Sequence, residues 1–280
     1  MDNWQQMDTA TLEQHFNPRI AVPDAPDHLQ RLAGLASAAR ARMDMRRNIS
    51  YGAHPREVYD LISGPFGGPL HIFIHGGYWR ALSKDEHHFV AEPLAGAGAT
   101  VVMLNYPLCP DVTLSQLVAA VIRGVAHAIR NAGEYGADAA RVHVSGHSAG
   151  AHLAAMVAAH DWPAEGLENN VIRSATLLSG IFDPRPTLQV SVNEEIGLTM
   201  AEAEANNALN HPPRPDCDVL VGVGGDEPPG WQRQSADYRD TNNITRPLMQ
   251  VAGTNHFTLL DEMTDPHSEL VTTMTGMMGL

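Results

Sequence analysis

A serine held between two glycines constrains the fold of this chain more than any other feature. An alternating apolar run ends at Gly146, Ser148 and Gly150 follow, and residues 151–159 have the alanine-rich composition of a helix. A strand, a tight turn and a helix, with the pattern G-x-S-x-G at the turn, expose a serine hydroxyl above the edge of a sheet. Side chains larger than that of glycine would collide across so sharp a bend. The motif therefore predicts a nucleophilic serine where a buried strand ends.

Strand-like and helix-like segments alternate along most of the chain. Predicted strands cover residues 49–51, 57–62, 70–75, 100–104, 141–145, 171–178, 219–223 and 248–251, and predicted helices cover residues 27–44, 85–97, 114–132 and 151–159. This order indicates an α/β fold with a mostly parallel central sheet and helices on both faces. Ligands of such sheets lie beyond the carboxyl ends of the strands. We expect one α/β domain over residues 1–280.

Two segments fall outside this alternation. Residues 1–47 hold a polar arm and a helix, and residues 183–213 hold four prolines around a helix-like run at residues 200–209. Lids are often built from such connections at the edge of a sheet that carries the site. We expect the arm to pack on the domain or to cover part of its mouth. We expect residues 183–213 to form a small cap that shapes the choice of substrate.

The acidic composition limits the partners of the chain. Lysine and arginine number 18 against 32 aspartate and glutamate residues, which gives a net charge of −14. Nucleic acids and anionic membranes need a basic face, so neither is expected as a partner. The N-terminus lacks the pattern of a signal peptide, and no apolar segment approaches the ~20 residues that span a bilayer. We expect a cytoplasmic protein with a small-molecule partner, and a homodimer is left open.

His256 is the histidine best placed to activate the serine. A serine hydroxyl becomes a good nucleophile only when a base takes its proton, and that base needs an acceptor for its other ring nitrogen. His256 lies on a loop after the last predicted strand, which fits the chain order serine, acid, histidine. The acid is expected at the end of strand 219–223, where both Asp226 and Glu227 stand. The spacing does not choose between them.

The oxyanion that forms during acyl transfer needs backbone donors. One is expected to be the amide of Ala149, at the start of the helix. Another is expected from Gly77, assisted by Gly76, because adjacent glycines let a loop turn its amides toward the site. The expected substrate contacts are His75, Tyr78, Trp79, His147, Phe182 and Trp231.

With these residues in hand, the chain resembles the arylformamidase (kynurenine formamidase) group of α/β-hydrolases. The run H-G-G-Y-W at residues 75–79 is the most specific feature of the resemblance. Further matches are Asp60 and the segments 51–52, 56–57, 146–153, 231–235 and 255–257. The matched region runs from about residue 48 to 263, which is most of the chain. The resemblance favours Glu227 as the acid that orients His256, and Asp226 remains the alternative.

The resemblance implies a serine hydrolase that cleaves an amide through an acyl-enzyme. The implied substrate is an N-formyl or N-acyl arylamine related to N-formylkynurenine, and no metal or organic cofactor is implied. A carboxylesterase for small acyl or aryl esters is the alternative within hydrolysis. A protein of the same fold that binds a ligand without converting it is the alternative of another class. The presence of both Ser148 and His256 argues against that third hypothesis.

Overall fold

The computed structural model describes residues 4–280, with an eight-stranded sheet at its centre. The strands are β1 (Arg46–Ser50), β2 (Val58–Ile62), β3 (Gly68–Ile74), β4 (Thr100–Leu104), β5 (Ala137–His147), β6 (Ile172–Leu178), β7 (Asp218–Gly224) and β8 (Met249–Val251). Their order across the sheet is β1-β2-β4-β3-β5-β6-β7-β8. Strand β2 is antiparallel to both of its neighbours, β1 and β4. The other six strands, which are β4, β3, β5, β6, β7 and β8 across the sheet, are parallel to one another. The predicted mostly parallel sheet is confirmed.

Helices cover both faces of this sheet. They are α1 (Thr9–Phe16), α2 (Pro18–Ala21), α3 (Ala25–Arg42), α4 (Ala91–Ala97), α5 (Leu114–Arg130), α6 (Ala149–Ala159), α7 (Asn193–Ile196), α8 (Met200–Ala205), α9 (Pro229–Thr241) and α10 (Glu269–Met278). Successive residues of a strand face opposite sides of a sheet. Accordingly, Ile72 joins the apolar core shared with α5 and α6, while Phe73 joins the core shared with α3, α4 and α10. Burial on both faces explains why β3 is apolar throughout its second half.

The predicted helix at residues 85–97 departs most from the structure. Two 3₁₀ turns, Lys84–Glu86 and His88–Val90, precede the α-helix α4. A helix that ran through from residue 85 would hold Pro93 in its interior, where proline lacks an amide and its ring collides with a carbonyl of the preceding turn. Helix α4 instead begins two residues before the proline, which places Pro93 in the first turn.

Helix α9 is absent from the sequence prediction because its composition is polar. The buried residues of α9 are Gly230, Trp231, Gln234, Ser235 and Tyr238. The side chains of Gln234 and Ser235 present hydrogen-bonding groups instead of an apolar surface. The three- to four-residue spacing of a buried face is present, but hydrophobicity alone does not reveal it.

The N-terminal arm and the cap meet above the end of β3. Phe16 of α1 is buried in the main apolar core. The Tyr78 hydroxyl lies 2.9 Å from the Phe16 carbonyl oxygen, to which it donates, and 3.1 Å from Thr187 Oγ1. One side chain thus joins the arm, the loop after β3 and the cap of residues 183–213. Within residues 4–280, none of the helices combines the length and the apolar character needed to cross a membrane.

Candidate active site

Ser148 lies on a strained turn between β5 and α6. Its backbone has φ 57° and ψ −122°, a combination that residues with a side chain seldom adopt. A Cβ atom on Gly146 would lie 2.1 Å from the carbonyl oxygen of Gly150, and one on Gly150 would lie 2.0 Å from that of Ile74. Both distances are far inside van der Waals contact, so the turn closes only with glycine at both positions. The spacing of the motif is thus required by the shape of the turn.

His256 and Glu227 form a buried hydrogen-bonded pair beyond the ends of β8 and β7. His256 Nδ1 lies 2.8 Å from Glu227 Oε2, and the two side chains are 3% and 0% exposed. Asp226, the alternative acid, is exposed to solvent. The structure therefore brings Glu227, and not Asp226, to the imidazole. Ser148 and His256 line one cavity, so the three sequence-predicted side chains converge on one place.

Ser179 is a member of this site that the sequence analysis misses. It follows β6, is fully buried, and has a φ of 49°. Its hydroxyl donates to Glu227 Oε1, which also accepts the amide of Gly224 at 2.9 Å. Glu227 is thus held by a hydroxyl and an amide on one oxygen and by the imidazole on the other. A serine directly after a buried strand was the available signal, because the carboxyl ends of all the parallel strands meet at this edge.

His147 packs between the serine turn and the loop of His256. Its Nε2 lies 2.8 Å from the carbonyl oxygen of His256, and the two ring centroids are 4.6 Å apart. Burial, followed by the nearby His256 and His87, lowers the pKa of His147 well below its ordinary value. The imidazole is therefore neutral near pH 7.

The loop after β3 approaches the serine turn through its two glycines. A Cβ atom on Gly76 would lie 3.3 Å from Ser148 Cβ, so the backbone of Gly76 is in close contact with the serine. Gly77 has a φ of +117°, and its carbonyl oxygen accepts the amides of Arg80 and Ala81. Ala149 is the first residue of α6, where amides have no acceptor within the helix. Gly76 and Gly77 thus line the same cavity as Ser148, and Ala149 follows the serine directly in the chain.

The cavity at Ser148 is small and mainly apolar. It encloses about 60 Å³ that a water-sized molecule can reach. Two of the expected substrate contacts, Tyr78 and His147, line it. The remaining wall comes partly from the N-terminal arm, through Asn17 and Arg19, and from Val192 of the cap. The arm therefore covers part of the mouth.

His75 and Trp79 were expected at the substrate but lie in the core. His75 is fully buried, stacks on Tyr106 with ring centroids 4.2 Å apart, and has its Nδ1 2.7 Å from the Gly76 carbonyl oxygen. Trp79 is also fully buried and donates its indole N–H to His152 Nδ1 at 3.2 Å. Trp79 also has a positive φ, of 61°. These side chains support the loop and do not line the cavity.

Phe182 and Trp231 likewise do not line the cavity. Phe182 is fully buried and stacks on Tyr238, with ring centroids 4.3 Å apart. Trp231 packs on the His256 ring at a centroid distance of 4.4 Å, so it contacts the predicted base instead of the substrate. Trp231 and Tyr238 are both buried residues of α9.

Gln234 connects the cap to α9. Its side-chain oxygen accepts the amide of Asp183 at 2.6 Å, and its side-chain nitrogen donates to the carbonyl of the same residue at 3.0 Å. This two-way bond fixes the first residue of the cap to the helix that packs on His256. The segment 231–235, which carries part of the resemblance, therefore has a structural role in this chain.

Two arginines line the catalytic cavity in an otherwise acidic protein. Arg80 donates to Glu195 at 2.6 Å, its side chain is 13% exposed, and its Nε is buried without a hydrogen-bond partner among the described residues. Burial lowers the pKa of Arg80; Glu195 opposes this shift, and the nearby charge of Arg19 adds to it. Arg19 is exposed and marks the solvent side of the cavity. Two guanidinium groups therefore border the cavity, and that of Arg80 is paired with Glu195.

A second group of polar side chains surrounds Asp60 on β2. Ligand atoms of Asp60, Asp85 and His88 lie within 4.8 Å of one another. The Lys84 ammonium is 2.9 Å from Asp60 Oδ2, and Arg47 Nε is 3.6 Å from the same oxygen. Two side-chain cations thus already balance the carboxylates, and the group is a buried ion-pair network.

Known proteins resemble this chain in both sequence and structure. A family model described as the alpha/beta hydrolase fold matches residues 71–218. The kynurenine formamidase of Salmo salar is 32% identical over 100% of this chain and 99% of its own length, and that of Danio rerio is 31% identical over the same shares. The crystal structure of a candidate thioesterase from Silicibacter sp. tm1040 superimposes with a TM-score of 0.83 and 30% identity, covering 94% of this chain and 98% of that one.

Proposed function

The chain belongs to the kynurenine formamidase family of α/β-hydrolases, and from this premise we propose that it is a serine hydrolase of N-formyl arylamines. The observation that carries the proposal is the buried contact of 2.8 Å between His256 Nδ1 and Glu227 Oε2, beside a cavity that Ser148 also lines. A carboxylate on Nδ1 orients the imidazole and leaves Nε2 for the serine. The hydrolase activity follows from the family, and the serine mechanism is the step we add.

The proposed reaction passes through an acyl-enzyme. His256 Nε2 takes the proton of Ser148 Oγ, and Oγ attacks the carbonyl carbon of the amide. The amides of Ala149 and Gly77 stabilise the oxyanion, and Glu227 stabilises the imidazolium. His256 then donates its proton to the leaving nitrogen as the C–N bond breaks, and the arylamine departs. Water gives a proton to His256 and attacks the acyl group, and Ser148 regains its proton as the carboxylic acid is released.

The size of the cavity supports a small acyl group. About 60 Å³ accommodates a few heavy atoms, which suits a formyl group better than a long acyl chain. The aryl part of the substrate then extends toward Arg19 of the arm and Arg80 of the loop after β3. Guanidinium groups are suited to carboxylates. The cavity thus supports an N-formyl arylamine that also carries an acidic group, and N-formylkynurenine has both features.

Ester hydrolysis is the second candidate. The solved structure from Silicibacter sp. tm1040, named as a candidate thioesterase, is 30% identical to this chain. The same serine, base and oxyanion donors would cleave an ester or thioester, because both reactions share the acyl-enzyme. The leaving group is what distinguishes the candidates.

A direct assay separates the two functions. We would measure kcat/KM for formanilide, acetanilide and phenyl formate, following release of aniline or phenol. The proposal expects clear turnover of formanilide, slower turnover of acetanilide, and formate as the second product. Negligible hydrolysis of both amides, with rapid hydrolysis of the ester, would select the carboxylesterase. No turnover of any of them would contradict both functions.

A further inference from the structure

We propose that His147 accepts a hydrogen bond from the N–H of the scissile amide and thereby makes the site selective for amides over esters. This inference rests on the proposed function and assigns a specificity-determining residue to it. His147 lies within the G-x-S-x-G turn, directly before Ser148. The catalytic steps given above do not use it.

The hydrogen bonds of the His147 ring fix its tautomer. Nε2 lies 2.8 Å from the main-chain carbonyl oxygen of His256, and a carbonyl oxygen only accepts. Nε2 must therefore carry a hydrogen. Because burial and the neighbouring His256 hold the pKa of His147 well below its ordinary value, the ring has only this one hydrogen near pH 7. Nδ1 is consequently a bare acceptor.

The position of Nδ1 places that acceptor beside the reacting serine. A Cβ atom built on Gly76 would lie 2.9 Å from the His147 carbonyl oxygen, 3.3 Å from Ser148 Cβ and 3.4 Å from His147 Nδ1, so Nδ1 and the serine side chain pack on the same residue, Gly76. His147 lines the catalytic cavity together with Ser148 and His256. Its side chain is almost entirely buried, at 4% exposed. An acceptor in such a place gains more from a substrate donor than it would in water.

Amide cleavage needs such an acceptor, whereas ester cleavage does not. When the amide carbon becomes tetrahedral, the nitrogen develops a lone pair that must point toward His256 Nε2–H to receive its proton. The remaining N–H then lies at a tetrahedral angle to that lone pair, directed to the side of His256, where the His147 ring packs with its centroid 4.6 Å from that of His256. An acceptor there stabilises the transition state, and an ester oxygen has no hydrogen to offer it. Leaving His147 Nδ1 without a donor when an ester reacts costs the site part of this stabilisation.

Two substitutions separate this role from simple support of the His256 loop. His147→Gln places an amide nitrogen near the position of Nε2, which preserves the bond to His256 and removes the acceptor at Nδ1. His147→Asn does the reverse, because its short side chain reaches only as far as Nδ1. The readout is the ratio of kcat/KM for formanilide to kcat/KM for phenyl formate. Circular dichroism of each variant reports on folding.

We expect His147→Gln to lower the amide-to-ester ratio about 10- to 100-fold, as the loss of one buried hydrogen bond predicts. We expect His147→Asn to lower both rates while the ratio stays within about threefold. Equal losses for both substrates in His147→Gln would mean that the residue only supports the loop and would overturn the inference. An amide-to-ester ratio that falls as far in His147→Asn as in His147→Gln would also overturn the inference.

N-methylformanilide gives a second readout on the same proteins. It is an amide without an N–H, so the preference of the unmodified protein for formanilide over N-methylformanilide should fall about tenfold or more in His147→Gln. An unchanged preference would contradict the role of Nδ1. Formanilide turnover by the unmodified protein tests the proposed function separately, so failure of this inference leaves that function standing.

Discussion

The floor and the roof of the catalytic cavity are built in different ways. The floor consists of Ser148, Glu227 and His256, which follow β5, β7 and β8 and are all buried. The roof consists of residues 17–19 of the arm, Arg80 of the loop after β3 and Val192 of the cap, and Arg19 among them is exposed to solvent. Each floor residue is fixed by the end of a strand, whereas the roof is held by side-chain contacts between segments distant in sequence. We therefore propose that the floor determines the reaction type and the roof the choice of substrate.

This difference predicts different kinetic effects for substitutions in the two regions. A change in the floor should lower kcat for every substrate, because it removes groups that act on the reacting atoms. A change in the roof should alter the ratio between substrates and act mainly through KM. The predictions below test that division, starting with the largest expected effect.

Removal of the nucleophile should have the largest effect. We expect Ser148→Ala to lower kcat by about 10³-fold or more with formanilide and with phenyl formate, while the protein remains folded. The turn retains both glycines, so the backbone is unchanged. Steady-state kinetics and a thermal melt of each protein provide the test. Retention of the parental rate on either substrate would show that the floor does not carry the reaction.

The two neighbouring carboxylates should differ sharply. Glu227→Gln keeps the shape of the side chain but removes the charge that stabilises the His256 imidazolium, so kcat should fall by about 10²- to 10⁴-fold. Asp226→Asn is the matched control, since that side chain is exposed. We expect kcat to change by less than about threefold in Asp226→Asn. Similar losses in the two variants would contradict the assignment of Glu227 as the orienting acid.

A roof substitution should act on selectivity. Arg80→Gln should lower kcat/KM for N-formylkynurenine about tenfold more than for formanilide, mainly through KM, because only the first substrate has a carboxylate. Glu195→Gln is the control, since it breaks the same 2.6 Å ion pair but leaves the guanidinium in the cavity. We expect Glu195→Gln to keep or strengthen the preference for N-formylkynurenine over formanilide. Equal losses for both substrates in Arg80→Gln would mean that Arg80 only supports the cap.

The smallest expected effect concerns the stability of the sheet under the floor. Burial lowers the pKa of His71 to about 3 and that of His143 to about 4, and the two lie opposite each other on β3 and β5. Below about pH 6.5 the unfolded chain binds protons at these positions and the folded chain does not, so stability is complete above that pH and falls below it.

We expect the urea midpoint to fall between pH 7.5 and pH 5, with each histidine contributing up to about 1 kcal/mol per pH unit to the free energy of unfolding. This interval lies above the range in which carboxylates titrate. His143→Gln should reduce the dependence of the urea midpoint on pH. A midpoint that stays constant or rises on acidification would contradict the burial of neutral histidines in the sheet.

The floor was more accessible to sequence analysis than the roof. Ser148 and His256 could be predicted because each follows a recognisable apolar strand. The chain order serine, acid, histidine then indicated which histidine is the base. The spacing did not choose between Asp226 and Glu227, and only the resemblance favoured Glu227; the structure shows that Glu227 is the one of the two that turns inward to His256. The resemblance to the formamidases and the α/β-hydrolase fold are confirmed by the comparisons. The roles of the individual residues stay predictions.

The walls of the cavity could not be predicted in the same way. Trp79 follows Tyr78, which lines the cavity, and nothing in the sequence says that the ring of Trp79 packs in the core instead. Arg19 and Arg80 belong to segments without a strand or a strong helical period, so no pattern relates them to Ser148. Such contacts depend on how distant segments pack, which local periodicity does not encode.

Covalent labelling of Ser148 tests the central claim most directly. The active protein would be treated with a serine-directed fluorophosphonate, and the intact mass and the labelled peptide would be determined by mass spectrometry. We predict one adduct per chain, located on Ser148, with formanilide hydrolysis lost in proportion to labelling. Hydrolysis that continues at full rate in a fully labelled protein, or inactivation with the label on another residue, would contradict a nucleophilic Ser148.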